Sequence, residues 1–199
     1  MTQRAREIWL VRHGETAWSR IGKHTGRSDI PLTAEGERQA RAVGVFLAGR
    51  SFGQVLVSPL RRARQTCAVA GYEAVARVVP ELAEWDYGQY EQRLTTEVRA
   101  EIRGWTIWTH GVPGGETLDE VAGRARRVLA EVEAGEGDAV LFAHGHLLRV
   151  LAACWAGLPP AAGGVLALGP GSVSVLGFET ERRVLRRWNL APGDGRRDG

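Results

Sequence analysis

Lysine is nearly absent from this sequence: Lys23 is the only one, and every other basic residue is arginine. The formal net charge at pH 7 is only +3, which excludes a strongly charged, disordered chain. Long apolar runs are also missing. None reaches the roughly 18 residues that a membrane-spanning helix needs, and Ile8–Val11 is too short for the core of a signal peptide. We therefore expect a cytoplasmic protein with no membrane partner.

Cysteine is scarce as well. Cys67 and Cys154 lie within apolar helical patterns, which predicts reduced packing residues. The chain of 199 residues is long enough for one domain with a substantial core, which we expect to span residues 1–190, followed by a disordered tail over 191–199. The excess of arginine is explained by a GC-rich genome, although a sequence pI near 9.3 leaves a nucleic-acid partner open.

Short apolar runs alternate with helical patterns along the chain. The predicted strands are Ile8–Val11, Val55–Val57, Val75–Val79, Ala139–Ala143 and a closing hairpin of Val173–Phe178 with Val184–Trp188. The predicted helices are one that begins at Thr33, Arg61–Ala70, one that follows the capping box at Thr117, and Leu147–Ala156. This alternation predicts an α/β fold, a three-layer sandwich with a mainly parallel central sheet and helices on both faces.

The stretch from Pro80 to Gly115 has no clear period and is predicted to be irregular. It contains Trp85, Trp105 and Trp108. Because side chains of this size are costly to leave in water, we expect the stretch to pack against the rest of the domain.

Three predicted strands are each followed by a segment that contains histidine or arginine. The first runs into Arg12-His13-Gly14, the second into the segment that ends at Arg62, and a later one into His144-Gly145-His146. In an open α/β sheet these ends meet at one edge, where ligands bind. Arginine forks match phosphate oxygens and a neutral imidazole can act as a nucleophile, so the pattern favours a dianionic phosphate ester.

His144 and His146 could instead be a metal pair, since alternate residues at a strand end can face the same way. The sequence shows no matching carboxylate cluster, and Arg12 beside His13 would repel a cation. We therefore expect no metal and no cofactor. His146 is interpreted as a packing or supporting residue. Of the other candidates, His24 and His110 are expected on loops, and Arg61 and Arg64 are expected to face solvent.

Six motifs, in order along the chain, resemble those of the histidine phosphatase superfamily, which includes the cofactor-dependent phosphoglycerate mutases. They are Leu10-Val-Arg-His-Gly-Glu-Thr16, Thr25-Gly26, Asp29-Ile-Pro-Leu-Thr33, Ser58-Pro-Leu-Arg-Arg-Ala-Arg-Gln-Thr66, Leu82-Ala-Glu-Trp-Asp-Tyr-Gly88 and Phe142-Ala-His-Gly-His146. The resemblance extends from Leu10 to about Trp188. Within the superfamily, Ala17-Trp-Ser19 and Glu84-Trp-Asp-Tyr-Gly-Gln-Tyr90 are similar to the branch of sedoheptulose-1,7-bisphosphatases and actinobacterial acid phosphatases.

The resemblance implies a role for each matching residue. His13 would be the nucleophile that accepts the phosphoryl group, while Arg12 and Arg62 would clamp its oxygens. His144 would donate a hydrogen bond in the same pocket, and Glu84 would protonate the leaving alkoxide. The implied substrate-binding residues are Arg12, Ser19, Thr25, Gly26, Arg62, Tyr87 and Gly145, although an aromatic residue such as Tyr87 more often packs in a lid than binds a ligand.

The predicted function is that of a metal-independent phosphomonoesterase of the acid phosphatase type, acting on sugar phosphates or small phosphorylated metabolites through a phosphohistidine. The alternative is a cofactor-dependent phosphoglycerate mutase. Mutases of the family carry asparagine where Ser19 stands, and an insertion with adjacent arginines; the pair Arg126-Arg127 is predicted to face outward. An arginine-rich nucleic-acid module is disfavoured, because Glu179 and Glu181 interrupt the basic cluster near the C-terminus. The resemblance is also compatible with a homodimer.

Overall fold

A six-stranded sheet runs through the computed structural model, which describes residues 6–193. Its strands are β1 (Ile8–Arg12), β2 (Gln54–Val57), β3 (Arg77–Val78), β4 (Ala139–Ala143), β5 (Val173–Glu179) and β6 (Arg182–Leu190), arranged in the order β3-β2-β4-β1-β5-β6. Strands β1 to β4 are parallel, whereas β5 pairs antiparallel with both β1 and β6. The predicted mainly parallel sheet is confirmed, and so is the closing hairpin.

Helices cover both faces of the sheet. They are α1 (Ala17–Arg20), α2 (Ala34–Leu47), α3 (Arg61–Val69), α4 (Thr95–Glu101), α5 (Ile107–His110), α6 (Leu118–Ala134) and α7 (Gly145–Trp155). Alternate residues of each strand face opposite sides. Trp9 and Val11 of β1 therefore join one core with α2 and α3, whereas Ile8 and Leu10 join the other with α6 and α7. The three-layer sandwich is confirmed.

Two helices differ from the sequence prediction in ways that affect the site. Helix α7 begins at Gly145 rather than Leu147, with His144 as its N-cap. Helix α4 lies within the stretch that was predicted to be irregular. It has one buried residue, Val98, and its first turn is stabilised by Glu97, whose carboxylate accepts the Leu94 N–H. A single buried side chain leaves no apolar period for a sequence pattern to detect.

The remaining differences are small. Strand β3 covers only two residues of the predicted Val75–Val79, and Val75 belongs instead to a 3-10 turn over Glu73–Val75. The short helix α1 is a capping box closed by Thr16 and Ser19. Of the predicted disordered tail, residues 191–193 follow β6 and residues 194–199 lie outside the described part of the chain.

The tryptophans of residues 80–115 pack as predicted. Trp85 and Trp105 are buried, and their indole N–H groups donate to the carbonyl oxygens of Glu116 and Gly111. Trp108 is partly buried against the same core. The segment is therefore held on the domain and forms one wall of the cavity described below. Cys67 and Cys154 are both free thiols.

Glycine is required where the loop after β1 meets α2. A Cβ atom at Gly14 would lie 2.3 Å from the carbonyl oxygen of Gly36, and one at Gly36 would lie 2.1 Å from that of Glu15. Both contacts are with backbone, so no side chain could move aside. The loop carrying His13 is thereby held close to the helix layer, and the Gly14 N–H donates to Thr66 Oγ1 on α3.

Candidate active site

A cavity of about 170 Å³ opens at the carboxyl ends of β1 and β4. The loop after β1, the segment around Glu84 and the start of α7 contribute most of its wall. The lining residues are Arg12, His13, Thr16, Ser19, Gly22, Lys23, His24, Thr25, Glu84, Tyr87, Thr95, Gly145, His146, Arg149 and Leu168. The edge of the sheet predicted from the strand ends is therefore the edge that carries the cavity.

His13 lies at the floor of the cavity with a defined tautomer. Its Nδ1 atom is 2.7 Å from the carbonyl oxygen of Gly14. Since a carbonyl oxygen can only accept, Nδ1 must carry the proton, which leaves a lone pair on Nε2. Burial, reinforced by the charges of Arg62 and Arg12, holds the pKa of His13 well below its usual value. The imidazole is therefore neutral and can act as a nucleophile.

Arg12 supplies positive charge beside this ring. One guanidinium Nη atom donates to the carbonyl oxygen of Leu168, whereas the buried Nε has no hydrogen-bond partner among residues 6–193. The second Nη atom makes no hydrogen bond within those residues either, and Arg12 lines the cavity, so its guanidinium is suited to an incoming anion. The guanidinium lies against the start of α7, where a Cβ atom at Gly145 would come within 3.3 Å of it.

Glu84 is anchored to the N-terminus of α7. Its Oε1 atom accepts the N–H groups of Trp85 and Leu147 at 3.0 and 2.9 Å, and its Oε2 atom accepts the His146 N–H at 3.1 Å. A carboxylate at this end of a helix is also favoured by the helix dipole. Each carboxylate oxygen has two lone pairs. Since Oε2 accepts only one protein N–H within the described chain, it has room for a proton.

Arg62 and His144 are fully buried and do not line the cavity. Arg62 Nε donates to His144 Nδ1 at 3.1 Å, so the proton of that ring is on Nε2, which lies 2.6 Å from Ser58 Oγ. The Nη atoms of Arg62 donate to the carbonyl oxygens of Thr25, Gly26 and Ser28. The pair thus connects α3, β2 and the loop over residues 25–28. Direct contact of either residue with a phosphate stays a prediction.

Tyr87, His24 and His146 form an aromatic cluster in the cavity wall. The Tyr87 hydroxyl is 2.6 Å from His146 Nδ1, and its ring stacks on His24 with centroids 5.0 Å apart. Burial raises the pKa of Tyr87 well above its usual value, so the hydroxyl stays protonated and can donate to His146. His24 lies on a loop, as expected, and it is buried there, with its Nε2 atom 3.3 Å from Thr95 Oγ1.

The other predicted binding residues divide into two groups. Ser19, Thr25, Tyr87 and Gly145 line the cavity. Gly26 does not: its N–H donates to Glu91 and its carbonyl accepts from Arg62. It is a packing glycine, since a Cβ atom there would lie 2.6 Å from the Trp85 carbonyl oxygen.

Arg149, Lys23 and Thr95 line the cavity but were not among the predicted site residues. Arg149 follows Gly145 by four positions, and residues at that spacing share one face of a helix. The predicted helix began at Leu147, so this relation became visible only with α7, which begins at Gly145. Thr95 carries no comparable signal, because the short helix α4 that contains it was not predicted.

Burial lowers the pKa of His24, His13, His144 and His146, the last three well below the usual value. Between pH 6.5 and about 5 the unfolded chain therefore binds protons on these residues that the folded chain does not. We expect the free energy of unfolding to decrease over this range by up to about 1.4 kcal/mol per pH unit for each histidine.

Denaturant unfolding at pH 7.5, 6.5 and 5.5 measures this decrease. His110→Gln is the control: His110 is exposed, so its variant should keep the wild-type slope. Stability that is constant or greater at pH 5.5 would contradict the burial of neutral histidines.

Comparison with known proteins agrees with this geometry. The sequence profile of the histidine phosphatase superfamily (branch 1) matches residues 8–191. The chain is 39% identical to an acid phosphatase of Mycobacterium tuberculosis, over 93% of each protein. It is 36% identical to sedoheptulose 1,7-bisphosphatase of Saccharomyces cerevisiae, over 75% of this chain and 67% of that protein.

The fold has close counterparts among solved structures. The solved structure of the product of an open reading frame of Mycobacterium tuberculosis superposes on this chain with a TM-score of 0.88 at 36% identity. The superposition covers 94% of this chain and 98% of the other. No helix in the described part of this chain is long and apolar enough to cross a membrane. A buried neutral histidine beside Arg12, in a chain that matches the family almost from end to end, establishes that this protein belongs to the histidine phosphatase superfamily and is a phosphatase.

Proposed function

We propose that this phosphatase is a metal-independent phosphomonoesterase that hydrolyses sugar phosphates or similar small phosphorylated metabolites through a phosphohistidine on His13. The observation that carries the proposal is the tautomer of His13. With Nδ1–H donated to Gly14, Nε2 presents a lone pair at the cavity floor, beside a guanidinium with a free donor.

In the first half-reaction His13 Nε2 attacks phosphorus and the ester P–O bond breaks. Arg12 binds the phosphoryl oxygens, and this interaction strengthens as charge develops on them. The departing alkoxide takes a proton from Glu84, which lies in the cavity wall. In the second half-reaction water attacks the phosphohistidine, Glu84 takes up the water proton, and the N–P bond breaks. Inorganic phosphate leaves, and Glu84 carries a proton again.

Arg62 and His144 act as positioning residues in this scheme. Their hydrogen bonds connect the loop over residues 25–28 to α3 and β2, and His144 lies beside the nucleophile with ring centroids 5.2 Å apart. Both nitrogens of His144 have protein partners, which argues against the alternative of a metal pair with His146. The surroundings support a reaction in which arginine, rather than a metal ion, neutralises the phosphate.

Two features of the structure favour hydrolysis over phosphoglycerate isomerisation. The adjacent arginines Arg126 and Arg127 are exposed on α6, outside the cavity, so they are not placed to bind a substrate carboxylate. Ser19 is occupied in the capping box of α1, where its hydroxyl contacts Thr16. In hydrolysis the phosphoryl group passes to water, so the site does not have to hold a retained intermediate in a second orientation.

The experiment that tests this function uses p-nitrophenyl phosphate with and without excess EDTA. We expect equal turnover, and a phosphoprotein that survives alkali but is lost in acid, as a phosphoramidate should be. The same preparation is then given 3-phosphoglycerate with a 2,3-bisphosphoglycerate primer. Loss of turnover on chelation would refute the metal-free mechanism, and formation of 2-phosphoglycerate faster than inorganic phosphate would favour the mutase.

A further inference from the structure

Arg124 of α6 and Glu116, which lies just before that helix, form an ion pair that the mechanism above does not use. The two side chains are only 12% and 23% exposed, and neither residue lines the active-site cavity. The carboxylate accepts from Nε at 2.6 Å and from Nη2 at 2.8 Å, a bidentate arrangement. The free energy lost in removing two charges from water is comparable to that gained from their attraction, so stability alone does not account for the pair.

The remaining donors of Arg124 hold the chain that carries the proton donor. Its Nη1 atom donates to the carbonyl oxygens of Glu81 and Ala83 at 2.6 and 2.8 Å, and its Nη2 atom donates to that of Glu84 at 3.3 Å. A guanidinium has five N–H donors in a rigid plane, and all five have acceptors here. Three carbonyl groups within residues 81–84 are therefore fixed relative to α6.

Glu116 holds the same segment on the other side of Glu84 along the chain. Its Oε2 atom accepts the Asp86 N–H at 3.0 Å, and its own N–H donates to the Asp86 carbonyl oxygen at 3.0 Å. Its carbonyl oxygen accepts the indole N–H of Trp85 at 2.8 Å. The ion pair thus fixes the backbone of residues 81–86 both before and after the proton donor.

The side chain of Glu84 is attached to a different helix, since its carboxylate accepts the N–H groups of His146 and Leu147 on α7. Glu84 is therefore held by α6 through its backbone and by α7 through its carboxylate. Proton transfer requires the two heavy atoms to approach within about 2.6–3.2 Å, and a misplacement of about 1 Å can lower a rate about 100-fold. The two attachments together define where this acid lies.

We propose that the ion pair of Glu116 and Arg124 positions Glu84 for proton transfer to the leaving group. The inference rests on the proposed function, in which Glu84 is the proton donor. Because neither residue lines the cavity, each acts through the backbone of residues 81–86. Lysine cannot replace Arg124, since an ammonium group has three donors and no planar fork. The alternative role is structural, in which the pair only stabilises the fold.

Kinetics of Arg124→Lys on two esters separate these roles. Glycerol 3-phosphate has an alkoxide leaving group that needs a proton, whereas p-nitrophenolate leaves without one. We expect kcat/KM to fall about 10- to 100-fold for glycerol 3-phosphate and to stay within about threefold for p-nitrophenyl phosphate. Arg126→Lys, exposed on the same helix, is the control and should match the wild type on both esters. Equal losses on both esters, accompanied by a lower Tm, would show a structural role and overturn the proposal.

A double variant shows whether Arg124 acts through Glu84. Glu84→Gln has no proton donor to position, so adding Arg124→Lys should lower kcat/KM for glycerol 3-phosphate by less than about threefold more. Losses that multiply in the double variant would place the effect of Arg124 elsewhere, and the proposal would be wrong.

The single variants also distinguish failure of this inference from failure of the proposed function. If Glu84→Gln slows both esters equally, the proton-donor role fails and the inference fails with it. If Glu84→Gln is selective and Arg124→Lys is not, only the positioning role fails. Should Arg124→Lys not fold, Glu116→Gln, which removes the charge and keeps the shape, carries the same expectation. If neither variant folds, the pair is required for the fold and the proposal is overturned.

Discussion

His13→Ala is expected to lower kcat by about four to six orders of magnitude, with little change in KM. The variant removes the ring in which the Gly14 carbonyl fixes the proton on Nδ1 and leaves the Nε2 lone pair free, so the covalent intermediate should no longer form. The measurement is steady-state hydrolysis of p-nitrophenyl phosphate, combined with acid-labile phosphoprotein trapped by rapid quenching. Both signals should disappear together.

The control for this variant is His110→Ala. His110 is an exposed histidine on α5, outside the cavity, so its loss should leave both turnover and labelling at wild-type levels. Circular dichroism establishes that both variants are folded. If His13→Ala kept more than about 1% of the turnover, or were still labelled, the nucleophile would have to be another group.

Glu84→Gln should slow esters with poor leaving groups far more than aryl esters. An alkoxide needs a proton as the P–O bond breaks, whereas p-nitrophenolate leaves without one. We expect kcat/KM, which reports phosphorylation of His13, to fall about 10²- to 10⁴-fold for an alkyl phosphate and less than about tenfold for p-nitrophenyl phosphate. Glutamine keeps an oxygen for the Trp85 and Leu147 N–H groups, although its amide then opposes the His146 N–H.

The second half-reaction offers an independent signal from the same variant. Because Glu84 also accepts the proton of the attacking water, Glu84→Gln should accumulate phosphohistidine with p-nitrophenyl phosphate. A burst near one equivalent of nitrophenolate, followed by slow turnover, is the expected trace. Glu37→Gln, at an exposed position on α2, serves as the matched control. Equal losses for alkyl and aryl esters, with no burst, would exclude Glu84 as the proton donor.

The sequence was sufficient to place the reacting groups at one edge of the sheet. Arg12-His13 and His144 each follow a buried parallel strand, and such strands end at the same edge whatever the chain between them does. The two sheet faces were predictable for the same reason, since β4 and the first four residues of β1 are apolar and must be covered on both sides. Short elements were missed, because α1 and α4 are stabilised by capping groups rather than by an apolar period.

Only the tertiary structure decided which hydrogen-bond partners each side chain has. Arg62 and Glu84 were predicted at the site and Arg149 was not, yet all three form hydrogen bonds with backbone groups 14 to 63 residues away in the chain. Those long-range hydrogen bonds turn Arg62 toward the loop over residues 25–28, anchor Glu84 on α7, and leave Arg149 facing the cavity. The near-absence of lysine and the excess of arginine could not predict these hydrogen bonds. A count of arginines does not say which acceptors lie beside each guanidinium once the chain is folded.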